Sequence, residues 1–502
     1  MIDERSSSYC YLLASSRNRS GLLLGSFEQE EISGIRKHVD PLYICSDTET
    51  VMHGSDGAYR IPFREAKPKT WGVIIAKVTV GGGRENEVLA RIDELVAGRQ
   101  SALVLKILST AHFMRTSVLL NQWRAKWDAD VYLPLPSSKR LKILVPLRKG
   151  ASAAGALLLY NPSTWRQVVR NLVLKILLRT GLYRLVFREF FLVAKSRGVE
   201  EGILLQVFRD RMLNQEGGIA LLNASQGSGT KAIAAPLSLR GQPEAYVKIT
   251  NDEIRKGLMR NEARILQELK ELDLRHAEVP RVVESGERGS YEYVVMSPAQ
   301  ETLESTGLRL TQLHVQFLAE LFNKTRAEGK TIDCKPIAAI ATRIEKFFQT
   351  DEKERTLLQS ALRRVVAGLG DRVQVGLAHR DFVSWNIKKK GGKLFVYDWE
   401  WAGESLPFVD LLHFVIHGEY HARGVPLLNI IRRFNDKTRL PDHFKSYAQR
   451  TQNNLKDLES SLLFYLLDRI TFECELAGEH RVDAAYIQCL QDRLQFADQT
   501  TG

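Results

Sequence analysis

Cysteine is sparse in this chain, and a long apolar run is missing altogether. The 502 residues hold five cysteines (Cys10, Cys45, Cys334, Cys474 and Cys489), widely spaced and never as C-x-x-C. An odd, scattered set excludes a disulfide-stapled miniprotein and fits a reducing cytosol. No uninterrupted apolar stretch approaches the ~20 residues needed to span a bilayer. The opening MIDERSSSYC has acids where an export signal needs a basic start and an apolar core, so no such signal is expected there. Neither a G-x-G-x-x-G nor a G-x-x-x-x-G-K-[ST] pattern occurs, and there is no internal repeat or low-complexity tract. What is present is ordinary for a globular protein, with 44% hydrophobic and 26% charged residues. At roughly 100–200 residues per domain, the length predicts two to four domains.

Charge is unevenly placed. Residues 131–200 hold thirteen Lys/Arg against two acids, Glu189 and Glu200, and so carry +11 of the net +12. A local anionic partner is implied rather than general basicity. From Ser163 to Lys195 the pattern is helical on either side of Gly181. Val169, Leu172, Val173, Ile176 and Leu177 recur at three- and four-residue steps among Arg166, Arg170, Lys175 and Arg179. Leu182, Tyr183, Leu185, Val186, Phe187, Phe190 and Phe191 follow, with Arg184 and Arg188 among them. Such a segment can be a core-packing helix with its arginines in water, or an in-plane helix in the headgroups of an anionic membrane. Nucleic acid is the weakest reading, since no recognised reading motif accompanies the charge.

Residues 1–130 read as mixed α/β. Trp71–Val80 reads as a buried strand, Glu85–Ala97 has helical spacing, and Ala102–Leu108 is a strand or a buried helix. Between the first two, Gly81-Gly82-Gly83 is either a flexible turn or a backbone approach to a phosphate. From Ile219 a meander is expected, as Ile219–Ser225, Ala232–Leu239 and Glu244–Ile249, with a Gly-containing turn at Gln226–Thr230. Asp252–Leu272 reads as helix, and Arg281–Glu284 and Tyr291–Met296 as further strands. Beyond Ala299 the chain turns mostly helical, apart from a hairpin near 387–397. Strands first and helices afterwards predict a two-lobed α+β domain.

The chemistry is concentrated in Leu377–Glu400, LAHRDFVSWNIKKKGGKLFVYDWE. His379-Arg380-Asp381 is followed by Asn386 five residues after the Asp, then by Asp398 at the end of an apolar strand. Phosphoryl transfer needs this set: an Asp to take or orient the proton of an attacking hydroxyl, and an Asn and a second Asp to hold magnesium on nucleotide phosphates. The H-x-D-x-x-x-x-N pattern alone arises by chance in roughly one chain in fifty of this length, so Asp398 closing the next strand is what makes it specific. Upstream, Lys248 on the third strand of the meander can neutralise phosphates, and Glu262 on the next helix can fix it. Gly227, Ser228 and Gly229 form a short loop where backbone can approach phosphates, and Met296 to Pro298 falls where a hinge would meet an adenine.

Together these residues resemble the aminoglycoside phosphotransferase/choline kinase family of the protein-kinase-like superfamily, over about 205–502. Asp398-Trp399-Glu400 is similar to the family's D-[FW]-[DE] metal motif, and Pro407-Phe408-Val409-Asp410-Leu411 to its P-x-x-D-L-A segment, with Leu412 in place of the small residue. The resemblance implies a protein-kinase-like domain with a small β-rich N-lobe (205–300) and a mostly helical C-lobe (301–502). A separate mixed α/β region (1–130) and a basic, partly amphipathic helical segment (131–204) precede it. It implies Asp381 as catalytic base with His379 bracing the loop, Asn386 and Asp398 as metal ligands, and Lys248 and Glu262 as the phosphate-positioning pair. ATP and Mg2+ are the implied cofactors. Eight residues, 399–406, separate Asp398 from Pro407, which leaves no peptide-docking platform and favours a small hydroxyl-bearing substrate: a sugar or glycan precursor, an amino alcohol or an aminoglycoside.

Other features stay open on sequence alone. Glu400 can approach a second metal or bond nearby backbone. Lys388-Lys389-Lys390-Gly391-Gly392-Lys393 reads as a solvated hairpin turn. Trp385, Trp399 and Trp401 are core residues or the lining of a sugar or cation pocket. The competing function is a membrane-surface scaffold or nucleotide-gated module in surface-polysaccharide assembly. There 131–200 would dock on anionic lipid or glycan and the kinase-like fold would be non-catalytic. Either way a cytoplasmic location is expected, peripheral on the inner face of the membrane if that segment docks.

Overall fold

The apolar runs of the first half become neighbouring strands of one sheet. The computed structural model describes residues 21–24, 42–46, 52–53, 59–62, 73–80, 92, 102–109, 113–127, 129–137, 141–159, 165–194, 203–210, 216–223, 231–298, 303–435 and 441–501. The chain divides into two compact units, Met1–Lys256 with Val283–Pro298, and Gly257–Val282 with Ala299–Gly502.

In the first unit β1 (Gly21–Leu24), β2 (Leu42–Ser46), β3 (Met52–His53), β4 (Tyr59–Pro62), β5 (Val73–Val80) and β6 (Ala102–Ser109) precede β7 (Ala129–Leu135), β8 (Ile143–Pro146) and β9 (Glu189–Ala194). Next come β10 (Ile219–Asn223), β11 (Lys231–Pro236), β12 (Tyr246–Thr250), β13 (Val282–Arg288) and β14 (Tyr291–Met296). Their order across the sheet is β13-β14-β12-β11-β10-β8-β7-β9-β6-β5-β1-β2-β4-β3. The run β4-β2-β1-β5-β6 is parallel, with β5 and β6 in register from Val73 opposite Ala102 to Val80 opposite Ser109. The chain moves outward from β1 on one side and then returns to start again at β5, as in a doubly wound sheet. Gly81-Gly82-Gly83, which follow β5, lie outside the described residues.

Side chains alternate between two core layers, as a period of two requires. Ile75, Val104, Phe191 and Leu221 lie in one layer. Ile74, Leu103, Phe190 and Ala220 lie in the other. Phe190 and Phe191 are thus on strand β9, antiparallel between β6 and β7, and not on a continuation of the helix after Gly181. The reason is that Phe190–Ala194 is apolar at every position and so needs cover on both faces, which a central strand receives. Strands from the expected 1–130, 131–204 and 205–300 divisions all share this sheet, because β8 pairs with both β7 and β10.

Against it pack α1 (Phe113–Trp127), α2 (Gly150–Ala156), α3 (Trp165–Thr180), the single turn α4 (Tyr183–Val186) and α5 (Ile203–Asp210). Helix α2, GASAAGA, is built of small residues so that backbones can close on it. A Cβ on Gly155 would lie 2.0 Å from the carbonyl oxygen of Gly241. Helix α6 (Glu253–Glu271) leads into the second unit.

The second unit is mostly helical: α7 (Gln312–Thr325), α8 (Lys335–Phe347), α9 (Glu352–Leu369), α10 (Val409–His417), α11 (Leu427–Arg432), α12 (Asp442–Thr451), α13 (Asp457–Ala477) and α14 (Ala484–Thr501). Helix α13 is buried nearly all round, from Leu458 to Phe472, and is the element the others surround. Short strands sit among them: β15 (Ala327–Lys330), β16 (Arg372–Ala378), β17 (Ile387–Lys390), β18 (Lys393–Val396) and β19 (Gly403–Ser405). The β17–β18 hairpin turns on Gly391 and Gly392, with φ of 51° and 87°, so the lysine-rich stretch is the expected tight turn. The N-terminal part of the chain is sheet-rich and the C-terminal part is mostly helical, as expected. No described helix is long and apolar enough to cross a membrane.

Substituting Gly155→Ala must push the Gly241 backbone away, and a loss of about 2 kcal/mol in unfolding free energy is expected. Chemical denaturation of the two proteins checks it; equal midpoints would mean that the α2 contact tolerates a methyl group.

Candidate active site

The site is built on the two loops that flank the β17–β18 hairpin. Strand β16 delivers His379-Arg380-Asp381, and the turn Ser384–Asn386 leads into β17. Strand β18 ends at Val396, and Asp398 two residues on stands at the N-cap position of the turn Trp399–Trp401. Arg380, Asp398 and Phe408 all take left-handed backbone conformations, with φ of 62°, 71° and 67°. Such conformations cost side-chain-bearing residues of order 1–3 kcal/mol and persist only where the surroundings hold them.

The holding groups are identifiable. The Asp410 carboxylate, in the first turn of α10, accepts the N–H of His379 at Oδ2 and that of Arg380 at Oδ1, both at 2.8 Å. The Arg380 guanidinium forks onto both oxygens of Asp468 at 2.7 Å, and Arg343 reaches Asp468 Oδ1 at 2.9 Å. His379 is fully buried; its Nδ1 accepts the N–H of Asp381 at 3.3 Å and its Nε2 donates to the Tyr397 carbonyl at 3.1 Å. Both ring nitrogens thus serve backbone groups.

Asp381 has both carboxylate oxygens engaged. Asn386 Nδ2 donates to Oδ2 at 2.8 Å and to the Asp381 carbonyl at 3.1 Å, and His413 Nε2 lies 3.2 Å from Oδ1. With its amide nitrogen turned to Asp381, Asn386 keeps Oδ1 for another partner. Beyond Asp398, the carboxylates of Glu262, Asp398 and Glu400 each offer an oxygen within 4.8 Å of the others. Helix α6 supports that turn: Glu262 Oε1 accepts the Trp399 N–H at 3.2 Å, and Asn261 Nδ2 donates to the carbonyls of Glu400 at 3.0 Å and Ala402 at 2.9 Å. Glu262 therefore gathers with Asp398 and Glu400 in the second unit, while Lys248 lies buried on β12 of the first. Met296 closes β14 and Pro298 follows it, also in the first unit. Gly227, Ser228 and Gly229 lie outside the described residues. Of the tryptophans, Trp399 is fully buried against His379 at 4.5 Å, Trp401 lies 5.4 Å from Phe472, and Trp385 faces His417 at 5.3 Å.

Residues 238–443 match the family model described as the phosphotransferase enzyme family. Solved structures with a similar course include an aminoglycoside phosphotransferase from Alicyclobacillus acidocaldarius, 14% identical, covering 55% of this chain and 88% of that one at a TM-score of 0.32. A choline kinase from Cryptosporidium parvum Iowa II is 11% identical, over 59% of this chain and 95% of that one, at 0.38. An aminoglycoside phosphotransferase in complex with GDP and kanamycin is 15% identical, over 55% and 93%, at 0.38. No curated protein matches the chain.

The electrostatics of the site follow from burial. Burial pushes the Asp381 carboxyl up to about 7, helped by the charges of Asp398 and Glu400 and opposed by His379 and Arg469. For Asp468 burial acts upward too, but Arg380 and Arg343 outweigh it and hold the carboxyl below its ordinary range. Burial drives His413 well below its ordinary value, so it is neutral; Nε2 then donates to Asp381 and Nδ1 accepts from the Tyr465 hydroxyl at 3.2 Å. Sequence reading missed His413, Asn261 and Asp468. Their partners lie 32, 139 and 88 residues away, and nothing in the local pattern announces them.

His314, at the third position of α7, completes a reciprocal cap with Thr311 and packs on Phe382 and Phe414 beneath the catalytic loop. Its Nδ1 accepts the Thr311 N–H and its buried Nε2 has no hydrogen-bond partner, so no proton can be added without breaking the cap. Burial pushes its pKa down to about 4. Because the folded value lies below the unfolded one, the unfolded chain binds the extra proton first. Stability from His314 is full above about pH 6.5 and is lost as pH falls towards 4, by roughly 3 kcal/mol in all. A His314→Gln variant, which can keep the reciprocal cap, should show a shallower loss of stability over that range in urea titrations; an unchanged slope would remove His314 from the acid response.

Proposed function

We propose that the chain is a small-molecule kinase that transfers a phosphoryl group from a nucleoside triphosphate, ATP by our reading, to a hydroxyl of a small acceptor. The observation that carries this is Asp381: a carboxyl poised near neutrality, with both oxygens oriented, followed in the chain by an all-oxygen donor set. Asn386 Oδ1 and the Asp398 carboxylate are hard oxygen ligands, the kind Mg2+ takes, so the residues present fit that ion. The nucleotide with its cation supplies the phosphoryl group and neutralises the charge on it.

On this reading Asp381 accepts or orients the acceptor hydroxyl's proton, a task favoured by a pKa near the working pH. Neutral His413 holds Asp381 Oδ1, and Asn386 holds Oδ2, so the base is fixed in rotation before the acceptor arrives. Lys248 meets the phosphates, with Glu262 in support of the metal-binding turn. The short 399–406 connection supports a sugar or glycan precursor, an amino alcohol or an aminoglycoside-like compound as acceptor, rather than a protein. The non-catalytic scaffold reading gives no role to so completely engaged a carboxylate.

Asp381→Asn should abolish acceptor-dependent ATP turnover, by a factor of about 1,000 or more, while nucleotide still binds in the presence of Mg2+. The assay pools sugars, amino alcohols and aminoglycosides; turnover retained in the variant would remove Asp381 from the base role. His413→Phe should lower kcat about tenfold with little change in KM, and His413→Gln, which keeps a donor, should recover part of it. If both variants match the parent enzyme in kcat, His413 does not position the base.

A further inference from the structure

Helix α3 is apolar on two opposite sides, and only one of them is covered by protein. Leu178 on the inner side is 1% exposed and lies in the core beneath the sheet, with Leu174 and Leu177 packed at its margin. On the outer side Val168, Val169, Leu172, Val173 and Ile176 recur at helical steps and are 51%, 49%, 58%, 48% and 51% exposed. Past Gly181 the surface continues on the next turn, where Leu182, Leu185 and Val186 are 47%, 56% and 58% exposed. Among the described residues, thirteen large apolar side chains stand out this far, and eight of them fall between 168 and 186. Single exposed leucines are normal, but a contiguous set of this kind marks a surface that something covers.

Charge says what covers it. At 3.6 residues per turn, Arg166 and Arg170 run along one border of the stripe and Lys175 and Arg179 along the other. Arg184 and Arg188 follow in sequence, in the window 131–200 with thirteen Lys/Arg and two acids. The occupant must be apolar in the middle and anionic on both sides. A second copy would bring its own basic rows against these, and nucleic acid would match the positive charge while leaving the stripe in water. An anionic leaflet supplies acyl chains under the stripe and phosphate groups along both borders.

We propose that the outer face of α3, continued by α4, is an in-plane docking surface for an anionic lipid bilayer. The helix lies along the membrane and does not cross it, since its 16 residues are too short and its other side belongs to the protein core. The proposal stands independently of the phosphotransferase reading.

The test is sedimentation of the full-length protein with vesicles of phosphatidylcholine alone or with about one-third phosphatidylglycerol. The parent protein should partition to the anionic vesicles, and less so as salt is raised. Leu172→Glu with Ile176→Glu, both at exposed positions, should lower that partition about tenfold or more, with an unchanged melting curve. Lys175→Ser with Arg179→Ser should lower it less. Equal binding to neutral and anionic vesicles, or variants that partition like the parent, would overturn the proposal. So would a parent protein that self-associates, is made monomeric by the Leu172/Ile176 change and ignores both kinds of vesicle; the face would then be an interface between copies of the chain.

Discussion

One carboxylate governs the candidate site. Asp410 takes two backbone N–H groups from consecutive residues, His379 and Arg380, and so dictates how the chain leaves β16. Hydrogen bonds to a charged group are worth roughly 1.5–3 kcal/mol each, enough to offset a left-handed Arg380. Once the turn is fixed, the Arg380 side chain is directed onto Asp468 of α13, and Asp381 is presented on the opposite course, towards Asn386 and His413. The course of the chain at Asp381 is thus set by a group that never touches its side chain.

The same device recurs at Asp398 and Phe408. Each is a side-chain-bearing residue in the left-handed region, and each ends a strand or starts a helix at the site. Asn261 and Glu262 secure the first of these turns by binding the backbone of Trp399, Glu400 and Ala402. Buried aromatic rings fill what remains, with His379 between Trp399 and Phe382. Of the five described side-chain-bearing residues with positive φ, three stand at these turns, the other two being Asp273 and Gln452; backbone strain of this kind persists only where rigid neighbours hold it.

Much of the second half was legible because its chemistry is written locally. Asp381, Asn386 and Asp398 fall in one 18-residue stretch, and the alternation and periodicity around them predict the right kinds of element. The groups that orient them were not legible, since Asp468, Asn261 and His413 act across long chain separations. In the first half the reverse holds. Its apolar runs are plain, but a run that is hydrophobic at every position has no period to separate strand from helix, which is why Phe190 and Phe191 read as helical. Nor does a run announce its neighbour: β9 sits between β6 and β7, which a linear reading cannot see.

The pairing of β8 with β10 ties the fate of the two halves together. A chain begun at residue 205 would retain all of Leu377–Glu400 yet lose the β8 partner of β10, leaving a row of backbone amides and carbonyls open along that edge. Open edges recruit other chains. Within the first unit the earlier strands thus cover the edge of β10. Cutting the chain between β8 and β10 therefore exposes a sheet edge that the whole chain keeps paired.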